Sequence, residues 1–308
     1  VTLLAKLFGL KKKKSEKRDA SLDIPTIPRQ TGSPLAALTT KPLTAVRVEP
    51  KTDVLPQLRV GCAQSVGMQR DHNEDAILTL TTLAATNDSY LPIGLFIIAD
   101  GMGGHKYGEI ASSLAVHTFA HRILDKMMLP LLEAKPADPL QEILESGVME
   151  AHRVISKEAP GSGTTLTALL ISGRQMSIAH VGDSRAYHIQ PNGEMQTLTR
   201  DHSLVMRMIE LGHLTEDEAA VHPQRNVLYR ALGQGDPFSP DVSTCPLPEA
   251  GHLLLCTDGL WGVAAQEEIS SIIQAAPTPE AACQQLIDAA NKAGGPDNIS
   301  AILVRIPD

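Results

Sequence analysis

Acidic residues stand at five sites where an apolar run meets a loop. Glu74 and Asp75 immediately precede the run 76–82, and Asp100 follows 96–99. Asp183 follows 178–182, Asp258 follows 253–257, and Asp297 precedes 299–306. Taken singly, an Asp beside Gly at a strand end reads as a turn residue. Taken together, carboxylates that converge without basic neighbours repel one another and call for cations. Oxygen donors with no Cys or His cluster favour Mg²⁺ or Mn²⁺ over Zn²⁺. The chemistry such a site supports is two-metal hydrolysis of a phosphoester, nucleases included.

Other motifs fail on their context. Gly161-Ser162-Gly163-Thr164-Thr165 resembles a phosphate loop but lacks the Walker Lys and precedes a strand pattern rather than a helix. Gly101, Gly103 and Gly104 do not make G-x-G-x-x-G, and Asp100 beside them repels a phosphate. Gly182-Asp183-Ser184 is similar to the nucleophile block of some serine esterases, but no Asp-x-x-His pair follows near the C-terminus to close a triad.

The elements that must hold these carboxylates are mainly strands. Short β-type runs recur at 57–64, 76–82, 93–99, 164–172, 175–181, 185–190, 195–199, 252–257 and 299–306. Ser172-Gly173 and Asn192-Gly193 are turn dipeptides between apolar runs and predict antiparallel hairpins. Two long helices interrupt the strands. In 107–128, Ile110, Leu114, Phe119, Ile123 and Met127 fall on one face; in 139–158, Leu140, Ile143, Leu144, Val148, Ala151, Val154 and Ile155 form a cleaner stripe. A third helix starts with Thr278 as N-cap and Pro279 at its first position, and stops before Gly294. Hairpins with helices inserted in blocks predict an α+β fold with antiparallel sheets rather than repeated βαβ units.

Composition bounds the rest. With 43% hydrophobic and 20% charged residues among 308, most of the chain can bury a core. Aromatics at 3% argue against a base-stacking nucleic-acid binder. Cys62, Cys245, Cys256 and Cys283 stand apart with no C-x-x-C, which suggests a reduced, intracellular protein and no zinc cluster. Residues 1–50 carry ten Lys/Arg against four Asp/Glu, whereas the remainder carries seventeen against thirty-one. An acidic body does not hold polyanions on a broad basic face, so a nuclease would work against repulsion. Residues 1–56 read as a basic, Pro-, Thr- and Ser-rich linker or disordered tail. Leu3, Leu4, Leu7 and Phe8 at helical spacing, beside Lys6, the lysines at 11–14, Lys17 and Arg18, suit contact with an anionic membrane surface or an acidic protein; a solvated tail is the plainer alternative. No stretch approaches the ~18 apolar residues of a membrane span. The expectation is a cytoplasmic protein, peripheral at the membrane if residues 1–18 act as a tether.

Six blocks in order carry a family resemblance: Arg70-Asp71-His72-Asn73-Glu74-Asp75, Asp100-Gly101-Met102-Gly103-Gly104-His105, Gly163-Thr164-Thr165, His180-Val181-Gly182-Asp183-Ser184-Arg185, Asp258-Gly259-Leu260-Trp261 and Gly295-Pro296-Asp297-Asn298-Ile299-Ser300. Over 57–306 the chain resembles the bacterial form of the metal-dependent Ser/Thr protein phosphatases, the PPM family of type 2C class. The resemblance implies a four-layer αββα fold, an antiparallel β-sandwich flanked by helices on both faces, with a flap at about 201–230; a surface helical hairpin is the plainer alternative there. It implies two core Mn²⁺ or Mg²⁺ ions and a weaker third. Asp100 would bridge the core pair with the Gly101 carbonyl on one ion, and Asp258 and Asp297 would complete the first. Glu74 would hold a water of the second with Asp75 beside it, and Asp183 with Asp258 would supply the third. Arg70 would grip the substrate phosphate, the alternative being a surface pair with Asp71. A metal-activated water would then hydrolyse phosphoserine and phosphothreonine in proteins, opposing a cognate Ser/Thr kinase. The position after Asp-Gly is Met102 rather than the His of animal members. His105 is the nearest replacement as proton donor, with a loop-bonding role as the alternative. Trp261-Gly262-Val263 stands where the family often has Asp, and the sequence attaches no function to that.

Overall fold

The structure is a computed structural model and describes residues 57–85, 90–102, 107–133, 135, 138–235 and 237–306. The tail over 1–56 and His105 lie outside the described residues. Twelve strands among the described residues form two five-stranded antiparallel sheets and one two-stranded ribbon.

In the first sheet the order is β1 (Arg59–Ser65), β12 (Ile299–Arg305), β11 (His252–Cys256), β8 (Arg185–Ile189) and β9 (Met195–Thr197). In the second it is β10 (Asp241–Pro246), β7 (Gln175–Val181), β6 (Leu166–Ser172), β3 (Tyr90–Ala99) and β2 (Ala76–Ala85). The turns at Ser172-Gly173 and Asn192-Gly193 close the β6–β7 and β8–β9 hairpins, as their dipeptides predict.

Period-two alternation with both faces apolar builds three cores. Phe96 and Ile98 of β3, Leu169 and Ile171 of β6, Leu253 and Leu255 of β11 and Ile302 and Val304 of β12 fill the space between the sheets. The alternate residues of the second sheet, among them Leu95, Ile97, Ala168 and Leu170, pack on α1 (Gly108–Ile123) and α3 (Leu140–Glu158). Those of the first sheet, among them Tyr187, Leu254, Ala301 and Leu303, pack on α7 (Gln266–Ala275) and α8 (Pro279–Lys292). The result is the expected αββα layering.

Several elements depart from the periodicity reading. The helix expected over 107–128 is α-helical only to Ile123; residues Leu124–Met128 form a π-turn, and α2 (Leu129–Leu132) carries Pro130. Ile110 is exposed and Leu114 half-buried, because α1 buries Ala111, Ala115, Phe119 and Ile123 instead. Small Ala side chains let that helix lie close on the sheet. The run 164–172 is split: Gly163 and Thr164 form β5, paired with β4 (Gly101–Met102), and β6 begins at Leu166. The sequence patterns do not predict β10, α6 (Asp258–Trp261) or α7; β10 is a largely polar edge strand with no apolar run to reveal it.

The segment 201–230 carries α4 (Leu204–Glu210) and α5 (Glu216–Ala220). Ser203 caps α4 through Met206 N, and Thr215 with Glu218 forms a capping box on α5. The two short helices form a helical hairpin.

Candidate metal centre

Strand register brings the acidic sites to one end of the sandwich. Ala76 pairs with Ala99, Ile98 with Thr167 and Leu166 with Val181, so Asp75, Asp100 and Asp183 leave the second sheet at the same edge. Cys256 pairs with both Ala301 and Arg185, which puts Asp258 and Asp297 at the matching edge of the first sheet.

Asp75 lies between the sheets, where its Oδ2 accepts hydrogen bonds from Thr257 Oγ1 at 3.0 Å and Ser300 Oγ at 2.6 Å. Its Oδ1 and the Oδ1 of Asp258 are buried with no hydrogen-bond partner. Such orphaned carboxylate oxygens cost free energy unless something else meets them. Asp100 is held by its backbone: its N–H donates to Thr165 Oγ1 at 2.8 Å, and its carbonyl accepts from Thr164 Oγ1 and Thr165 N. Gly101 N donates to Glu74 O, and a Cβ at Gly101 would fall 2.3 Å from Gly108 O, so only glycine fits this crossing.

The carboxylates titrate together. Burial first, then mutual repulsion, raises Asp100 well above its ordinary range. Burial pushes Asp75 up to about 7, opposed by its two hydroxyl donors. Asp183 is pushed up to about 8 by burial and by Asp258 and Asp201. Asp258 is pushed up to about 6 by burial and Asp297. Four acids that resist ionisation without a cation, with two oxygens unpartnered, fit a divalent ion bound by hard oxygen donors.

Asp297 is reached by Arg70, whose Nη2 donates to Oδ2 at 2.6 Å. Arg70 therefore pairs with Asp297 rather than with Asp71, the alternative partner. Glu74 sits beside the cluster with its N–H bonded to Asn298 Oδ1 at 2.8 Å.

Two residues without a role in the sequence reading organise this end. Asn298 Nδ2 donates to Val66 O and His72 O, so one amide stitches the Arg70 loop to the Asp297 turn. Trp261 Nε1 donates to Asp183 O at 3.1 Å, and the Arg185 guanidinium stacks 3.6 Å over its ring. Arg185 is itself clamped by Asp201, to which its Nε–H and Nη2–H donate at 2.7–3.2 Å. The missing family Asp after Trp261 thus says little, whereas Trp261 itself fixes the Asp183 loop. A signal existed in the Trp at the end of the Asp258 block, but its partner lies 78 residues away.

His180 and His202 are structural. Burial pushes His180 down to about 3, and its Nε2–H donates to Arg200 O at 2.9 Å. His202 Nδ1 accepts from Gly182 N, which leaves its Nε2–H to donate to Asp241 Oδ2. Arg230 also donates to Asp241, so this network ties the 201–230 segment to β10 and to the Asp183 loop.

The chain and its fold are similar to known proteins. The model of the family described as protein phosphatase 2C matches residues 62–299. The serine/threonine phosphatase stp of Listeria innocua is 35% identical over 244 residues, covering 77% of this chain and 92% of that protein. The crystal structure of the Mycobacterium tuberculosis serine/threonine phosphatase PstP/Ppp superposes with a TM-score of 0.68 at 31% identity, covering 82% of this chain and 99% of that one. The catalytic domain of PstP, solved in complex with two manganese ions, gives a TM-score of 0.65 at 31% identity over 82% of this chain and 99% of that one.

Proposed function

The chain belongs to the protein phosphatase 2C family, and from that premise we propose that it hydrolyses phosphoserine and phosphothreonine in proteins, in opposition to a Ser/Thr kinase. The observation that carries the reading is the gathering of buried Asp75 and Asp183 with half-buried Asp100 and Asp258, two carboxylate oxygens being left unpartnered at one end of the sandwich.

Asp100 would serve both core ions, with the Gly101 carbonyl on one of them, and Asp258 and Asp297 would complete the first. Glu74 would hold a water of the second with Asp75 beside it, and Asp183 with Asp258 would hold a weaker third. Manganese or magnesium suits this all-oxygen set. Bound there, the ions would supply an attacking water acidic near neutral pH and would offset the phosphate charge.

The remaining work falls to the chain itself. Arg70, with its side chain 48% exposed, can swing from Asp297 to a phosphate oxygen and offer a planar pair of donors. Thr165 and the carbonyl contacts of Thr164 fix the Asp100 backbone, so its carboxylate is aimed by the sheet rather than by a mobile loop. The Thr257 and Ser300 hydroxyls orient Asp75 while leaving Oδ1 toward the cluster. We assign the proton for the departing alkoxide to His105, by its place after the Asp100 block.

The test is turnover of a phosphothreonine peptide with Mn²⁺. Asp100→Asn should leave activity near background with the far-UV circular dichroism unchanged. Wild-type turnover in that variant would overturn the assignment.

A further inference from the structure

A second cluster of donors lies at the edge of the carboxylate site and differs in kind, because it contains an imidazole. The His72 Nε2 is 3.4 Å from Glu74 Oε1 and 3.9 Å from Glu109 Oε2, and one ligand atom from each residue lies within 4.8 Å of the others. Zinc bonds of 2.0–2.2 Å at tetrahedral angles set neighbouring donors about 3.3 Å apart. The His72–Glu74 pair already meets that spacing, and the exposed Glu109 carboxylate must close by at most about 1.5 Å to join them.

The scaffold beneath them is fixed. Asn298 holds both the His72 carbonyl, at 2.9 Å, and the Glu74 N–H. Ser112 Oγ donates to Glu74 O at 2.6 Å and lies 3.3 Å from Glu109 O in the first turn of α1. The space for the Glu74 carboxylate exists because residue 108 is glycine: a Cβ there would fall 2.5 Å from Glu74 Oε1. The side chains of His72 and Glu109 are 56% and 47% exposed, so an ion can enter from solvent.

We propose that His72, Glu74 and Glu109 form a site for a zinc-class divalent ion, and that filling it inhibits the enzyme. Three protein donors leave a fourth position open to water or to a phosphate oxygen. One imidazole among carboxylates favours Zn²⁺ or Co²⁺ over Mg²⁺ and Mn²⁺, which separates this site from the all-oxygen cluster beside it. The inhibition rests on the phosphatase reading, because Glu74 cannot serve the second core ion while committed to zinc. The binding itself does not depend on that reading.

Cobalt substitutes for zinc and reports its coordination through visible d–d bands. Co²⁺ titrated into the full chain should give intense low-coordinate bands that vanish in His72→Ala and in Glu109→Gln, whereas Co²⁺ held by the all-oxygen cluster would give only the weak bands of six-coordination. Zn²⁺ should inhibit Mn²⁺-supported turnover, and both variants should need at least tenfold more Zn²⁺ for the same inhibition, with turnover in Mn²⁺ alone unchanged. Bands that are absent from the wild type, or that persist in both variants, overturn the site. Lost bands with unshifted zinc inhibition overturn the regulatory half. A chain with no phosphatase activity that still shows His72-dependent bands sinks the proposed function and leaves the site standing.

Discussion

Asp75→Asn should make the metal-free protein more stable at alkaline pH while weakening its hold on ions. Asp75 is pushed from 3.8 up to about 7, chiefly by burial. A carboxyl whose pKa is raised on folding contributes stability that is fully present below its unfolded pKa and lost as pH rises through the folded value. For Asp75 that loss runs from about pH 4 to about pH 7. At 1.36 kcal/mol per unit, the shift corresponds to about 4 kcal/mol, of which about 2 kcal/mol is lost between pH 5.5 and pH 8.5. Asparagine keeps the carbonyl that accepts from Thr257 and Ser300 and removes only the charge. Its neighbours take up part of the shared proton, so one substitution recovers about half of the total, ~2 kcal/mol. For a domain of this size that is a rise of about 4–8 °C in melting temperature. The assay is thermal unfolding in EDTA at pH 5.5 and 8.5, repeated with saturating Mn²⁺. The wild type in EDTA should melt lower at pH 8.5 than at 5.5. The variant should gain most at pH 8.5, and Mn²⁺ should shrink or reverse that gain. A wild type equally stable at both pH values in EDTA, or a variant less stable at pH 8.5, would refute the argument.

Trp261→Phe removes the donor to Asp183 O but keeps a ring under Arg185, so the fold should persist. Loss of a hydrogen bond worth about 1 kcal/mol should weaken the third ion about fivefold by calorimetry and leave the core pair intact; an unchanged third-ion affinity removes Trp261 from that role. If His105 delivers the proton to the alkoxide, His105→Ala should cost ~10²-fold or more on phosphoserine and far less on p-nitrophenyl phosphate, whose leaving group needs little help. Equal losses on both substrates would make it a packing residue.

The sequence revealed what depends on local pattern. Strands β3, β6 and β11 are buried on both faces, so their runs are unbroken and bounded by turn residues, and a reader finds them without partners. The carboxylates were legible for the same reason: Asp100, Asp183 and Asp258 mark strand ends, and several such ends with one chemistry point to convergence. β10 was not legible, since an edge strand needs pairing to only one neighbour, β7, and asks little of its own side chains. Nor was the face of α1, because spacing alone weights Ile110 above Ala111, and the close helix–sheet approach favours the smaller residue.

The support of the site was hidden for a different reason. Ser300 meets Asp75 across 225 residues, and Thr257 meets it across 182. Neither pairing leaves a trace in spacing. What they accomplish is to hold a carboxylate in a place that its own charge disfavours. Asp100 and Asp258 go further: they lie close enough that the charge of Asp258 opposes ionisation of Asp100. The sheets, the hydroxyls and the Asn298 and Trp261 bridges fix this arrangement before any ion arrives. On the proposed reading, the ions would therefore meet ligands already in position, and the free energy of binding them would include the release of a repulsion that the fold maintains. That is why the substitution that most stabilises the empty protein should be one that disables it.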